Sequence, residues 1–374
     1  MSGQDGAPIV VLLGGPSAEH DVSIVSGGAI GDALAAAGHP VRRVVIDLAG
    51  RWWWLPADHR PDGLAPAAYD DPAALGAEGP YPVGAAIDRL AASQPAPLIF
   101  IALHGPFGED GTVQALLEAA DLAYTGSGVA ASAIGMDKAL FKRVVRGLGL
   151  PVVDWREIAA ERWATEPAAV LAELDAFATG TGDPRLMVKP AGLGSSVGMT
   201  LAHGPAERGA ALDEAFRYDT VALAARYLAG ARDLEVGVIG HDRGALELYG
   251  PGEIVAGHEF YDFAAKYTAG LSETSTRAEI PSSMRAAILK IARDAYRAIG
   301  AEGFARIDFL VVGGSVYLSE INTIPGFTPI SLFPTMPAAF GLDFTAVCER
   351  IVTLAREHHA ARIGGRLDPS DLPR

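Results

Sequence analysis

One cysteine, Cys348, stands in a chain of 374 residues. A single thiol excludes a disulfide framework and a cysteine-based zinc site within one chain, and its setting in Phe344-Thr-Ala-Val-Cys-Glu-Arg-Ile351 predicts a buried helical residue. Long apolar runs are missing as well. Hydrophobic residues make up 49% of the chain, enough for sizeable cores, yet each run is short, and none nears the ~20 residues of a membrane span. The opening MSGQDGAPIVVLLGG has neither a charged n-region nor a cleavage signature, which predicts a buried strand there rather than a signal peptide. Positive charge is also short. A net charge of −15 removes electrostatic support for binding nucleic acid or an anionic membrane, so the expectation is a cytoplasmic protein. Among 30 basic residues only Lys138, Lys142, Lys189, Lys266 and Lys290 are lysines. An ammonium is a compact charge with rotatable donors that suits phosphate oxygens, so the placement of these few is informative.

The chain is too long for one ordinary core, and two or three domains are expected. Strand Ile9 to Leu13, a Gly-rich turn, a helix to Ala37 and strand Val41 to Ile46 open it. Residues 50–95, rich in Pro, Ala and Trp, read as loops and short helices, with Trp52, Trp53 and Trp54 as packing residues. Pro97 to Leu103 reads as a buried strand ending at His104-Gly105. This alternation argues an open α/β domain with ligands at the carboxyl ends of its strands. A second unit begins near Gly126-Ser127-Gly128, with a helix over Met136 to Gly147 and a strand from Leu186 to Lys189. A third carries strand Leu234 to Ile239 and a closing β pair. Its helix, Met284 to Ile299, gathers Met284, Ile288, Ile291, Ala295 and Ile299 on one face and leaves Lys290 solvated.

Four segments could carry chemistry. In Arg306-Ile-Asp308-Phe-Leu-Val-Val-Gly-Gly-Ser-Val-Tyr-Leu-Ser-Glu320-Ile-Asn322, two β-rich runs flank Gly313-Gly314-Ser315, a hairpin pattern. Side chains alternate along a strand, so Arg306 shares a face with Asp308, and Glu320 with Asn322. A three-residue loop would set Asp308 opposite Glu320 and Arg306 opposite Asn322, gathering hard oxygen donors for Mg²⁺. A two-residue loop would split the pairs between faces and break the site. A solvated strand face with cross-strand charge pairs fits the same residues. The following turn, Thr323-Ile-Pro325-Gly326-Phe327, lets the Gly326 amide approach a ligand. Lys189 precedes a Gly/Ser loop, Gly194-Ser195-Ser196-Val-Gly198, that is either a phosphate cradle or a plain turn and follows no Walker or dinucleotide pattern. After the first strand, Glu19 could hold a substrate ammonium or cap the next helix. After Leu103, His104, Glu109 and Asp110 are either metal donors or members of a hydrogen-bonded turn.

Seven segments in register, GGPSAEHDVS, LHGPFGEDG, YTGSGVAASAIGMDK, VKPAGLGSSVG, EFYDFAAKY, ARIDF and SEINTIPGFTPISLFP, resemble the D-alanine-D-alanine ligases of the ATP-grasp superfamily. The likeness runs from about residue 9 to 355 and covers 50–95 poorly. It implies an α/β and α+β chain in three domains: an N-terminal open parallel α/β domain over 1–127, a central ATP-grasp subdomain over 128–228 and a C-terminal one over 229–374. The implied reaction joins two D-alanines at the expense of ATP through an acyl phosphate, for peptidoglycan precursors. Lys138 and Lys189 would meet ATP phosphates and Lys266 would bind ATP, with Gly194, Ser195 and Ser196 in the loop that closes over the phosphates and Asp233 at the ribose. Asp308, Glu320 and Asn322 would hold two Mg²⁺, or Mn²⁺ in their place. Glu19 would bind the first ammonium and join Ser195 and Tyr267 in a hydrogen-bonded group, with Lys266 and Tyr267 on a lid. Arg306 and the Gly326 amide would stabilise the oxyanion, Ser331 and Leu332 would bind the second carboxylate, and His104 and Glu109 would support the first substrate. A homodimer is implied.

One feature departs from the family. Its linker Glu, which holds the adenine amino group, has no counterpart in Val221 to Ala231, leaving adenine to backbone groups and nucleotide preference open. Two alternatives stand beside the leading reading. One is a sister ligase taking D-Ser, D-lactate or another second substrate; the other is a nucleotide-binding relative without turnover.

Overall fold

The computed structural model of the chain describes residues 6–61, 63–256 and 272–364. Among the described residues the strands form three sheets. In the first, β1 (Ile9–Gly14), β2 (Val41–Ile46), β5 (Leu98–Ile101) and β6 (Ala123–Tyr124) run parallel. Every residue of β1 and β5 is buried, as expected of parallel strands covered on both faces. Helices α1 (His20–Ala36), α2 (Val83–Ala91) and α3 (Thr112–Ala119) accompany this sheet.

Residues 50–95 are more ordered than the sequence suggested. They supply β3 (Trp52–Trp54) and β4 (Glu78–Tyr81), which extend the sheet by antiparallel pairing in the order β4-β3-β2-β1-β5-β6. The three tryptophans explain this, because bulky aromatics suit a pleated, half-buried surface. Trp52 is fully buried, Trp53 donates its indole N–H to Asp47 Oδ2 at 2.8 Å, and the Arg89 guanidinium lies 4.5 Å from the Trp54 ring.

Helices α4 (Val129–Met136) and α5 (Lys138–Gly147) lead to the second sheet. The helix expected over Met136 to Gly147 is α5, which starts two residues later because the Asp137 carboxylate accepts the Leu140 N–H and caps it. The second sheet is antiparallel, ordered β7-β10-β8-β9, from β7 (Trp155–Ala159), β8 (Leu186–Pro190), β9 (Thr200–Ala202) and β10 (Val221–Arg226). Helices α6 (Ala160–Thr165), α7 (Pro167–Thr181) and α8 (Pro205–Ala215) belong to the same stretch of chain.

The third sheet, β13-β12-β11-β14-β15, is also antiparallel. Its strands are β11 (Arg232–His241), β12 (Leu246–Ala256), β13 (Ser272–Ser275), β14 (Glu302–Val312) and β15 (Ser315–Asn322). Helix α9 (Ser282–Ala298) buries Ile288, Ala292, Ala295 and Tyr296 on it and leaves Lys290 exposed, paired with Asp294. After α10 (Leu332–Ala338), the last helix among the described residues, α11 (Phe344–Gly364), returns to the first sheet. Val347, Cys348, Ile351 and Val352 share one core with β1, β2 and β5, joined by Phe304, Phe327 and Phe333. This packing holds the carboxyl ends of β1 and β5 beside the turn after β15. Among the described residues no helix is long and apolar enough to cross a membrane.

Candidate active site

The site starts where β1 ends. Gly14 and Gly15 take positive φ (87° and 98°), turning the chain sharply into α1. Ser23 on α1 accepts the Gly14 N–H at 2.8 Å and donates to Ala102 O at 2.7 Å, tying the helix to both β1 and the end of β5. Glu19 therefore sits at the carboxyl ends of two parallel strands. It occupies the N-cap position of α1, but its side chain makes no capping hydrogen bond. Its carboxylate instead accepts a hydrogen bond from Ser195 Oγ, 176 residues away. Of the two roles open to Glu19 from sequence, helix capping is excluded.

His104 and Glu109 lie behind this point, almost fully buried. His104 Nε2 meets Ser26 Oγ at 3.0 Å, and Nδ1 meets the Ile324 carbonyl at 3.1 Å. Glu109 accepts the Gly105 N–H at 3.0 Å and lies 3.7 Å from His104 Nδ1, while Asp110 accepts the Phe107 and Thr112 N–H groups. These are hydrogen-bonded turn residues, not metal donors. Burial depresses the His104 imidazole, but the bond and charge of Glu109, with the charge of Glu19, outweigh it and hold the ring above its ordinary value. Burial raises Glu109 against the opposing pull of His104. Both directions favour keeping a proton in the pair.

A cleft opens between the second and third sheets. It is lined by Lys138, Lys142, Lys189, Gly194, Ser195, Ser196, Asp233, Glu235, Arg306, Asp308 and Glu320. Its apolar stretch includes Val153, Met187, Leu228 and Leu310, a wall suited to a flat base. Ala225, Arg226, Tyr227, Leu228, Gly230 and Ala231 line it too, with no acid among them, as the sequence showed. Lys138 opens α5; its Nζ donates to Leu193 O at 2.6 Å and lies 3.5 Å from Glu320 Oε2. The loop after β8 is anchored by the Gly192 N–H, which donates to Asp219 Oδ2 at 2.6 Å. Beyond that anchor, Ser195 and Ser196 both hold positive φ (50° and 58°), which costs an L-residue roughly 1–2 kcal/mol each. Strain of this kind gathers at ligand clamps.

The hairpin of β14 and β15 corrects the sequence reading. Its loop has two residues, Gly313 and Gly314, both at positive φ, so Val312 pairs with Ser315. By the sequence argument that loop should break the site. It does not, because the register shifts between Asp308 and Phe309: Phe309 pairs with Leu318 and Asp308 with Glu320. Ser319 is the extra residue of a β-bulge. Asp308 thus faces Glu320, and Arg306 faces Asn322, as expected but for a different reason.

Arg306 grips both oxygens of Asp308 at 2.7 Å and reaches Glu235 Oε1 at 3.2 Å. Burial works against its charge, but Asp308 and Glu235 outweigh that and keep it firmly protonated. Asn322 Oδ1 accepts the Ile324 N–H at 3.1 Å, so part of its capacity shapes the following turn. Among the described residues no three His, Cys, Asp or Glu side chains form a metal cage. The donors here are two carboxylates and an amide oxygen. That set fits Mg²⁺, which takes one or two carboxylates and completes its shell with substrate phosphate and water.

The turn after β15 carries the remaining expected groups. A Cβ on Gly326 would lie 3.3 Å from Ser331 Oγ, so the two are close neighbours. Ser331 Oγ accepts the Thr328 N–H at 3.0 Å, and Leu332 is buried with Ile254 and Met336. Lys138, Lys189, Gly194, Ser195, Ser196, Asp233, Arg306, Asp308 and Glu320 share the cleft. Glu19 joins it through Ser195; His104, Glu109, Asn322, Gly326, Ser331 and Leu332 stand outside its lining. Lys266 and Tyr267 lie outside the described residues. Sequence reasoning missed Lys142 and Glu235. The scarcity of lysine was a signal for the first; Glu235, at the i+2 spacing from Asp233, was legible as a second residue on that strand face.

Comparisons with known proteins identify the family. A family model described as D-ala D-ala ligase N-terminus matches residues 8–127, and one described as D-ala D-ala ligase C-terminus matches residues 144–353. The chain is 38% identical to a D-alanine--D-alanine ligase of Kineococcus radiotolerans, covering 95% of this chain and 98% of the relative. A D-alanine--D-alanine ligase of Heliobacterium modesticaldum is 39% identical, with 92% and 93% covered. Among solved structures, the D-alanine-D-alanine ligase of Coxiella burnetii superposes with a TM-score of 0.75 at 31% identity, covering 96% of this chain and 97% of that one. The VanG D-Ala:D-Ser ligase of Enterococcus faecalis gives 0.78 at 26%, covering 94% and 100%. Fold and cleft together define an ATP-grasp protein. Within that class, the chain belongs to the D-alanine-D-alanine ligase family.

Proposed function

We propose that this protein joins two D-alanines into D-alanyl-D-alanine at the expense of ATP, through an acyl phosphate, to supply peptidoglycan precursors. The observation that carries the reading is the Ser195–Glu19 hydrogen bond. It couples a cleft lined by phosphate-suited lysines to a carboxylate at the strand ends where an ammonium would rest. Family membership supports D-amino acids as substrates, a cytoplasmic place and a homodimer. It also supports three units over 1–127, 128–228 and 229–374.

An amine cannot displace oxide from a carboxylate, so the first D-alanine needs a leaving group, and transfer of the ATP γ-phosphoryl supplies one. Glu19 holds the ammonium of that D-alanine, with His104 and Glu109 fixing the wall behind it. Lys138 and Lys189 offset charge on the phosphates, the Gly194, Ser195 and Ser196 loop covers them, and Asp233 holds the ribose. Asp308, Glu320 and Asn322 would hold two Mg²⁺, or Mn²⁺, which when bound neutralise charge on the transferring phosphoryl. By the family likeness Lys266 and Tyr267, which lie outside the described residues, would shield the acyl phosphate from water. Ser331 and the Leu332 N–H receive the second carboxylate. Its amine then attacks, and Arg306 with the Gly326 N–H offsets the developing oxyanion.

The likeness to a D-Ala:D-Ser ligase supports one second reading, in which the second substrate differs and the residues from Leu332 to Met336 decide it. Phosphate release with D-alanine, ATP and Mg²⁺, with product mass read for D-alanine, D-serine and D-lactate as second substrates, separates the readings. D-Ala-D-Ala as the main product is expected. A mixed product in excess would favour the second reading, and no release with any D-amino acid would overturn both.

A further inference from the structure

Helix α5 sends two lysines into the cleft, and among the described residues only the first has a hydrogen bond or a carboxylate neighbour. Lys138 donates to Leu193 O and faces Glu320. Lys142 follows one turn later, is 3% exposed and lines the same cleft. Among the described residues it has no hydrogen bond and no carboxylate within 4.0 Å. The Trp155 ring centroid lies 5.5 Å from its Nζ. The charged groups around it are Lys189 on β8, Glu320 on β15, Arg146 on its own helix and Asp154 ahead of β7. An ammonium held this way loses its hydration and gains no contacting counter-ion from the described residues.

We propose that Lys142 is a positioning residue for the nucleotide, a third phosphate-facing lysine whose counter-ion is the bound phosphate chain itself. The inference rests on the nucleotide reading of the cleft and adds a proton to it. Burial, then the charge of Lys189, pushes the Lys142 ammonium down to about 7. Near neutral pH a good part of these side chains are therefore uncharged before the nucleotide enters. Phosphate oxygens favour the charged form, so binding draws a proton onto Nζ from solvent. Lys142 would then hold the chain in place without having opposed folding at full charge.

The test is calorimetric titration of the full chain with ADP and Mg²⁺ in buffers of different ionisation enthalpy, at pH 7 and pH 8. The slope against ionisation enthalpy counts protons taken up. The wild type is expected to take up more than K142M at both pH values, with the larger difference at pH 8. K142M is expected to bind ADP about tenfold more weakly or worse, as loss of one charge-assisted contact implies. K142R, always charged, is expected to bind ADP without the extra proton, and it keeps the test open if the methionine variant does not fold. Equal proton uptake in wild type and K142R would overturn the inference while leaving the nucleotide reading intact. A wild type that binds no ADP would overturn the nucleotide reading, and the inference with it.

Discussion

Asp308 faces Glu320 across the β14–β15 hairpin because Ser319 is bulged out of the ladder between Leu318 and Glu320. The extra residue that sequence reasoning put in the turn sits four residues further along, where it restores the register. Deleting Ser319 should therefore leave Asp308 opposite Glu320 in a regular ladder. Turnover, read as phosphate release, is expected to stay within about tenfold of wild type, about 1.4 kcal/mol in the barrier. Inserting an alanine after Ser319 turns Glu320 to the other face and is expected to cost more than about 100-fold. If both variants turn over alike, the bulge does not set the site.

Glu320→Ala removes one of the facing carboxylates and leaves Lys138 without its neighbour at 3.5 Å. Turnover should be abolished at any Mg²⁺ concentration, with the melting temperature little changed. Normal rates in this variant would take Glu320 out of the metal site.

The loop over the cleft depends on Gly198. Its φ is +68°, and a Cβ there would fall 2.7 Å from Tyr218 Cδ2 and 3.0 Å from Pro190 Cγ. Gly198→Ala meets both a backbone cost of about 1–2 kcal/mol and a clash with two rings. The expected result is a drop in kcat/KM with only a small loss of global stability. Wild-type kinetics would mean that the loop accommodates the methyl group and that its conformation is not critical.

Phe327 locks the turn after β15 onto the first sheet. It is 1% exposed, and its ring centroid lies 5.4–6.2 Å from those of Phe344, Phe333, Phe304 and Phe100. Phe327→Ala is expected to cost about 3–5 kcal/mol in chemical denaturation, the usual penalty for emptying a packed aromatic site. A loss under about 1 kcal/mol would show that the site collapses or that the contact contributes little.

The His104–Glu109 pair gives stability a pH dependence with a definite sign. Both groups are raised in the native state, above 6.5 for the histidine and above 4.5 for the glutamate. The folded chain thus keeps protons that the unfolded chain releases as pH rises past those values. Stability from the pair is fully present below them and is lost as pH climbs through the native values. Melting temperature should fall between pH 6 and 9 more steeply in wild type than in His104→Gln. A parallel pair of curves would contradict this.

Much of this was legible from sequence because it depends on local pattern. The buried run of β1, the Gly turn into α1 and the face of α9 follow from periodicity and glycine. Other features needed the fold. Whether Glu19 capped its helix or bound elsewhere turned on Ser195, far away in sequence. The bulge did leave a trace: Leu318 and Ile321 are both buried yet three residues apart, breaking the two-residue strand period. Residues 50–95 were obscure because their Pro and Ala content concealed two short strands that form only by pairing with β2 and with each other.

The central claim is ligation through an acyl phosphate, and an isotope tests it most directly. D-alanine with both carboxylate oxygens replaced by oxygen-18 should pass one labelled oxygen into inorganic phosphate for each dipeptide formed with ATP and Mg²⁺. Phosphate carrying only unlabelled oxygen, while dipeptide accumulates, would contradict the account.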